Sequence, residues 1–117
     1  MKNEFKSDYD FQEDLLYLYD EKKKSSGSIE LGDLVIDLNK GEIVGLEIFN
    51  ASKYLSSLTN KKITKTDLRK IRKPLVSFTP QKGIILIKLI LSIEKQKIPA
   101  SIAVQDFSYQ SPAVAMA

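Results

Sequence analysis

A chain of 117 residues with 43% hydrophobic and 28% charged side chains is long enough for one core and too apolar to stay disordered. It has no Cys and no His, which excludes disulfide scaffolds, thiolate metal sites, iron–sulfur clusters and Ser-His or Cys-His triads, and leaves carboxylate, Lys, Tyr or Ser chemistry. The net charge of +3 conceals an opposition: residues 1–60 hold twelve acids against seven Lys, and residues 61–117 hold eleven Lys plus Arg against three acids.

Such asymmetry fits a basic face for nucleic acid, or two halves that attract each other within the fold or across a dimer. The longest apolar run, Ile84 to Ile93, is ten residues interrupted by Lys88, well short of the ~20 a spanning helix needs. Met1 to Lys6 holds an acid and no apolar core of a signal peptide. These features predict no membrane association and a cytoplasmic location.

In chain order, Phe5 to Phe11 alternates aromatic and polar residues, Gln12-Glu13-Asp14 reads as a turn, and Leu15 to Tyr19 resumes the apolar pattern. The pattern predicts a first β-hairpin, with Tyr17 and Tyr19 packed toward the core. Asp20 to Gly27 is a polar connection. Ile29 and Leu31 precede a break at Gly32-Asp33, after which Leu34, Ile36 and Leu38 share one parity. Asn39-Lys40-Gly41 predicts a three-residue hairpin loop, and Val44, Leu46 and Ile48 the apolar face of the return strand. Gly45 within that strand signals a bulge or the close approach of a neighbouring ring.

Asn50 and Ser52 are N-cap candidates for a helix bearing Tyr54, Leu55 and Leu58 on one face. Thr64-Lys65-Thr66-Asp67 has capping-box form, with Leu68 and Ile71 one turn apart and Pro74 as the boundary of a second helix. Leu75 to Phe78, Ile84 to Ile93 and Ala100 to Asp106 predict three antiparallel strands. In the central one, Ile85, Ile87, Leu89, Leu91 and Ile93 form one apolar face, and Ile84, Leu86 and Ile90 lie on the other with Lys88 and Ser92. Both faces should be covered, one of them by the helices and the other by a subunit partner or the first sheet. Ser108 to Ala117 has no pattern and should fray or dock late.

Two stretches resemble a known family. Tyr9-Asp10 followed by Asp14-Leu15-Leu16-Tyr17-Leu18 is similar to the opening of the small prokaryotic domain of unknown function 2283. Val35 to Ser52 resembles that family's hydrophobic-Asp, turn-Gly, Ile-Val-Gly-hydrophobic-Glu-hydrophobic, Ala-Ser pattern, with a turn one residue shorter. The resemblance spans roughly residues 9–55. It implies a β-meander running into a helix, no established reaction, and room for a regulatory binding role.

The candidate sites are few. Asp8, Asp10, Glu13 and Asp14 are dense enough for a hard cation, but an EF-hand counted from Asp8 would want Gly where Glu13 stands and Glu where Tyr19 stands, so a solvated turn is the plainer reading. Glu42 and Glu47 have opposite parity and point to opposite faces, whereas Asp37 and Glu47 share an outward parity on adjacent strands. Lys62, Lys65, Arg69 and Arg72 recur at i, i+3, i+7 and i+10, which predicts one helical stripe suited to phosphates, without interleaved aromatics.

These readings predict an α+β protein of antiparallel β-hairpins in a meander with one or two short helices and a C-terminal three-stranded antiparallel unit. It is read as one domain over 1–117, divided into the family-like meander at 9–55, a helical connection at 56–74, the three-stranded unit at 75–107 and a tail at 108–117. The functional expectation is a non-catalytic binding or regulatory module without cofactor or metal. It would act as a homodimer or with a small protein partner through Ile84, Leu86 and Ile90. The alternatives are nucleic-acid binding through the basic stripe and a carboxylate-based enzyme.

Overall fold

The structure is a computed structural model that describes residues 3–105. In chain order it comprises β1 (Asn3–Glu4), β2 (Lys6–Asp10), β3 (Leu15–Tyr19), β4 (Gly27–Leu31), β5 (Leu34–Asn39), β6 (Glu42–Ile48), α1 (Ala51–Thr59), α2 (Lys65–Leu68), β7 (Ile71–Gln81), β8 (Ile84–Ile93) and β9 (Gln96–Gln105). All strand pairs are antiparallel. The strands form two sheets, ordered β2-β3-β6-β5-β4 and β1-β7-β8-β9. The α+β architecture and the C-terminal three-stranded unit are as the sequence predicts.

The chain enters through both sheets. Asn3 pairs with Val76 in the second, Lys6 pairs with Tyr19 in the first, and between them Phe5 is buried at 2% exposure. The Phe5 N–H donates to the Pro74 carbonyl at 2.8 Å, which holds this corner between the sheets.

Three local expectations need correction. The β5–β6 loop has two residues, because Asn39 pairs with Glu42 and both Lys40 (φ 53°) and Gly41 (φ 80°) are left-handed. A turn of that hand matches the twist of the strands it joins. The additional residue is absorbed as a register shift between Asp37 and Leu38, opposite Gly45. The second helix has the full Thr64–Asp67 capping box, yet it ends at Leu68. Ile71 opens a strand instead, and Pro74 lies inside β7 where the ladder is already irregular between Arg72 and Leu75 and Lys73 has φ 46°, so its missing N–H breaks no regular pairing.

Tyr17 and Tyr19 lie on the face of β3 away from the core. Leu16 and Leu18 are the fully buried residues of that strand. The sequence Leu15-Leu16-Tyr17-Leu18-Tyr19 offers apolar side chains at both parities, so alternation alone does not orient it.

Buried residues of both sheets and both helices join in one cluster, including Leu18 and Leu46 from the first sheet, Leu55 and Leu68 from the helices, and Leu89 and Leu91 from the second sheet. The helices therefore lie on the inner face of the second sheet. Its other face is left open among the described residues. The expected fraying or docking of Ser108 to Ala117 lies outside the described residues.

Candidate functional site

Strand alternation places the three expected contact residues on that open face. The register builds rows across it: Leu75, Ile90 and Pro99; then Ser77, Lys88 and Ser101; then Thr79, Leu86 and Ala103; and finally Gln81, Ile84 and Gln105. Ile84 is 44% exposed, and Leu86 and Ile90 are half-buried. Lys88 stands exposed between the two apolar rows, and with Leu75, Ile90 and Pro99 it lines a shallow pocket. The helices cover the opposite face, where their buried residues join those of the second sheet.

The four basic candidates do not form one helical stripe, because a four-residue helix cannot carry an i to i+10 series. Lys62 precedes α2, Lys65 opens it, Arg69 caps it, and Arg72 belongs to β7 opposite Ser92. Two of them do converge. Lys65 Nζ lies 5.1 Å and the Arg69 guanidinium 4.9 Å from the centre of the Phe11 ring, which is 42% exposed at the tip of the first hairpin. Sequence reading found no aromatic among the basic residues because Phe11 is more than fifty positions away in the chain.

The acidic cluster disperses in the same way. Asp10 accepts from the N–H groups of Gln12 and Glu13 at 3.0 and 3.1 Å, the turn role its residue type favours. Asp14 turns inward at 9% exposure and accepts from Tyr9 Oη at 2.7 Å, Ser52 Oγ at 2.6 Å and Ser52 N at 3.1 Å. It thereby caps α1 from a distant hairpin, while Asn50 makes no side-chain capping bond. Burial alone would raise the Asp14 carboxyl, but the Ser52 and Tyr9 hydrogen bonds and the Lys65 charge outweigh it and hold the group below the usual carboxylate range. The Tyr9 hydroxyl is pushed up strongly by burial and by its bond to that carboxylate.

A second polar group gathers on the outward face of the first sheet. Gly45 leaves room there: a Cβ at that position would stand 2.8 Å from Asp37 Oδ2 and 3.1 Å from Tyr17 Cε1. The missing side chain thus makes space for both the ring and the carboxylate, so the bulge and the close approach read from Gly45 are both present. Asp37 is buried at 4% exposure and accepts from Ser28 Oγ at 2.7 Å, although its strand parity predicts an exposed acid. Beside it, burial, the Asp37 charge, a hydrogen bond with Asp37 and the Glu30 charge together raise the Glu47 carboxyl. Burial first, then the charges of Asp37 and Glu47, raise the Tyr17 hydroxyl. Tyr17 and Tyr19 stack with ring centres 4.9 Å apart. Glu42, at the turn, is separate from this group and pairs with Lys23 at 2.6 Å.

The residues of the Tyr-Asp and Gly-hydrophobic-Glu patterns therefore meet in two places, the Tyr9–Asp14–Ser52 lock and the Tyr17–Asp37–Gly45–Glu47 face. Residues 6–52 match the family model described as Protein of unknown function (DUF2283). The matched region thus covers the first sheet and the start of α1, as the resemblance implied.

An uncharacterized protein of Methanocaldococcus jannaschii is 47% identical over 49 residues, 41% of this chain and 42% of that protein. A Methanosarcina mazei protein named "Putative hypoxanthine phosphoribosyltransferase" is 34% identical over 68 residues, 57% of this chain and 50% of that one. The chain thus spans half or less of the length of these curated relatives. No solved structure matches. Among the described residues, no three acids gather as a set for a metal ion and no helix is long and apolar enough to cross a membrane.

Proposed function

We propose that the protein is a non-catalytic binding or regulatory module, folded as one unit, that works through protein–protein contact at the open face of β7, β8 and β9. The observation that carries this reading is the pair of apolar rows around Ile90 and Leu86, capped by exposed Ile84, which no element among the described residues covers. Burying a large aliphatic side chain is worth about 1.5 to 3 kcal/mol, and monomers rarely leave such residues contiguous in water. Lys88 is compatible with burial of the face, because its long stem can lie along Leu86 and Ile90 while its ammonium reaches the rim. The partner is a second copy, whose identical face presents the same rows.

Sedimentation equilibrium at micromolar concentration tests this. The wild type should show about twice the chain mass of 13.2 kDa, and Leu86→Lys should return it to one chain without loss of its thermal transition. A wild type that sediments as one chain across that range would remove the homodimer.

The Phe11 cluster supports a second reading, as a nucleic-acid contact, since an exposed ring flanked by Lys65 and Arg69 joins stacking to phosphate attraction. On this reading a labelled single-stranded RNA is retained at low salt and lost in Phe11→Ala with Arg69→Ala. Absence of retention by the wild type would end it.

A further inference from the structure

The outward face of the first sheet is distinct from the surface just discussed and of opposite character. Its register lays two rows across five strands. One runs Asp8, Tyr17, Glu47, Val35, Glu30, and the other Lys6, Tyr19, Gly45, Asp37, Ser28. These two rows hold four carboxylates and one cation, Lys6, which lies 3.6 Å from Glu21. Among the described residues the ion pairs are Lys6–Glu21, Lys23–Glu42 and Lys70–Glu94, and none of them involves Asp8, Glu30, Asp37 or Glu47. The face is a negative surface without its counter-charge.

We propose that this face is a docking surface for an extended, lysine- or arginine-bearing segment of a partner protein. Charge complementarity selects a cationic occupant. The stacked Tyr17 and Tyr19 rings favour ammonium or guanidinium groups, which are drawn to aromatic faces. Spacing selects a peptide. Neighbouring strands lie ~4.8 Å apart, so Asp8, Glu47 and Glu30, two strands from one another in turn, stand roughly 10 Å apart. Three residues of extended chain cover about the same distance, so a segment crossing the strands with a basic residue at every third position meets all three acids.

The raised Glu47 carboxyl agrees with this, since a cation there would relieve the repulsion it feels from Asp37 and Glu30. The groups facing Glu47 are Asp8 from β2, Tyr17 from β3, Asp37 from β5 and Glu30 from β4, and none of them is basic.

The test is fluorescence anisotropy at low salt with two labelled peptides of one composition, Arg-Ser-Ser repeated three times and a block of three Arg followed by six Ser. Two triple variants are compared, Asp8→Asn/Glu30→Gln/Glu47→Gln on the face and Glu4→Gln/Glu13→Gln/Glu94→Gln elsewhere, each with its thermal transition recorded. The spaced peptide should bind at least about fivefold more tightly than the block, with about tenfold lost in the face variant and under about threefold in the control. Binding at mildly acidic pH should also release a proton from the wild type and none from Glu47→Gln.

Equal losses in the two triple variants, equal affinity for the two peptides, or no binding would each overturn the proposal. So would competition by spermidine at the peptide's own concentration, which would assign the face to a small polyamine. A fall in sedimenting mass confined to the face variant would assign it to a second copy.

Discussion

The outward faces of the two sheets are built by the same alternation and come out opposite. On β3, β5 and β6 the outward positions hold Tyr17, Asp37 and Glu47, and on β7, β8 and β9 they hold Leu75, Ile90, Leu86 and Pro99. The first face is acidic, aromatic and lies within the family match, whereas the second is apolar with Lys88 at its middle and lies outside that match. The division of charge along the chain thus becomes a division between sheets, with the inner faces sharing one core and the outer faces differing in character.

The largest effects should come from the inner faces. Leu46→Ala in the first sheet and Leu89→Ala in the second each delete a fully buried side chain and should cost roughly 2 to 5 kcal/mol. Because both belong to one cluster, each should lower a single thermal transition followed by circular dichroism. Two transitions, of which each variant moves only one, would show that the sheets are separate units.

The lock between the first hairpin and α1 ranks next. Asp14→Ala removes the cap of that helix and should cost about 1 to 2 kcal/mol at neutral pH. The folded Asp14 carboxyl lies below its ordinary value, so its stabilisation is present above that value and is lost as the pH falls through the folded one. The gap between wild type and Asp14→Ala should therefore close in acid. A gap that stays constant with pH would mean that Asp14 contributes packing and not charge.

The smallest effect has the opposite sign. Glu47 is raised in the folded protein, so its ionisation costs stability above its ordinary value, a cost fully present once the pH passes the folded value. Glu47→Gln should therefore stabilise the protein by about 0.2 to 1 kcal/mol at neutral pH and leave it unchanged in acid, as judged by urea midpoints. Destabilisation at neutral pH would place a stabilising partner on Glu47 and contradict the reading of a face short of positive charge.

Most of the strands were legible because their apolar residues alternate and their turns carry Gly or Asn, as at Gly32 and Gly41. The capping box at Thr64 was legible in full. What sequence could not supply was distance. Nothing local says that Asp14 would reach Ser52, or that Phe11 would lie under Lys65 and Arg69, since these contacts depend on the hairpin being laid against helices formed much later in the chain. Asp37 was misread as an exposed acid because parity reports direction and not cover, and its cover comes from Tyr17 leaning over Gly45. The basic stripe failed for a different reason: a regular spacing of charges does not sustain a helix, and the apolar demand of Ile71 turned the chain into a strand after one turn.

Solvent exposure of methyl groups on the two outward faces, read by NMR with a soluble paramagnetic agent at micromolar protein, distinguishes a covered second sheet from an open one. In the assembled protein the methyls of Leu86 and Ile90 should relax almost as slowly as those of buried Leu89 and Leu91, while Val35 on the first sheet's outward face should be relaxed strongly. Leu86 and Ile90 relaxed as strongly as Val35 would mean that the open face of the second sheet stays in water, contradicting its role as a protein contact.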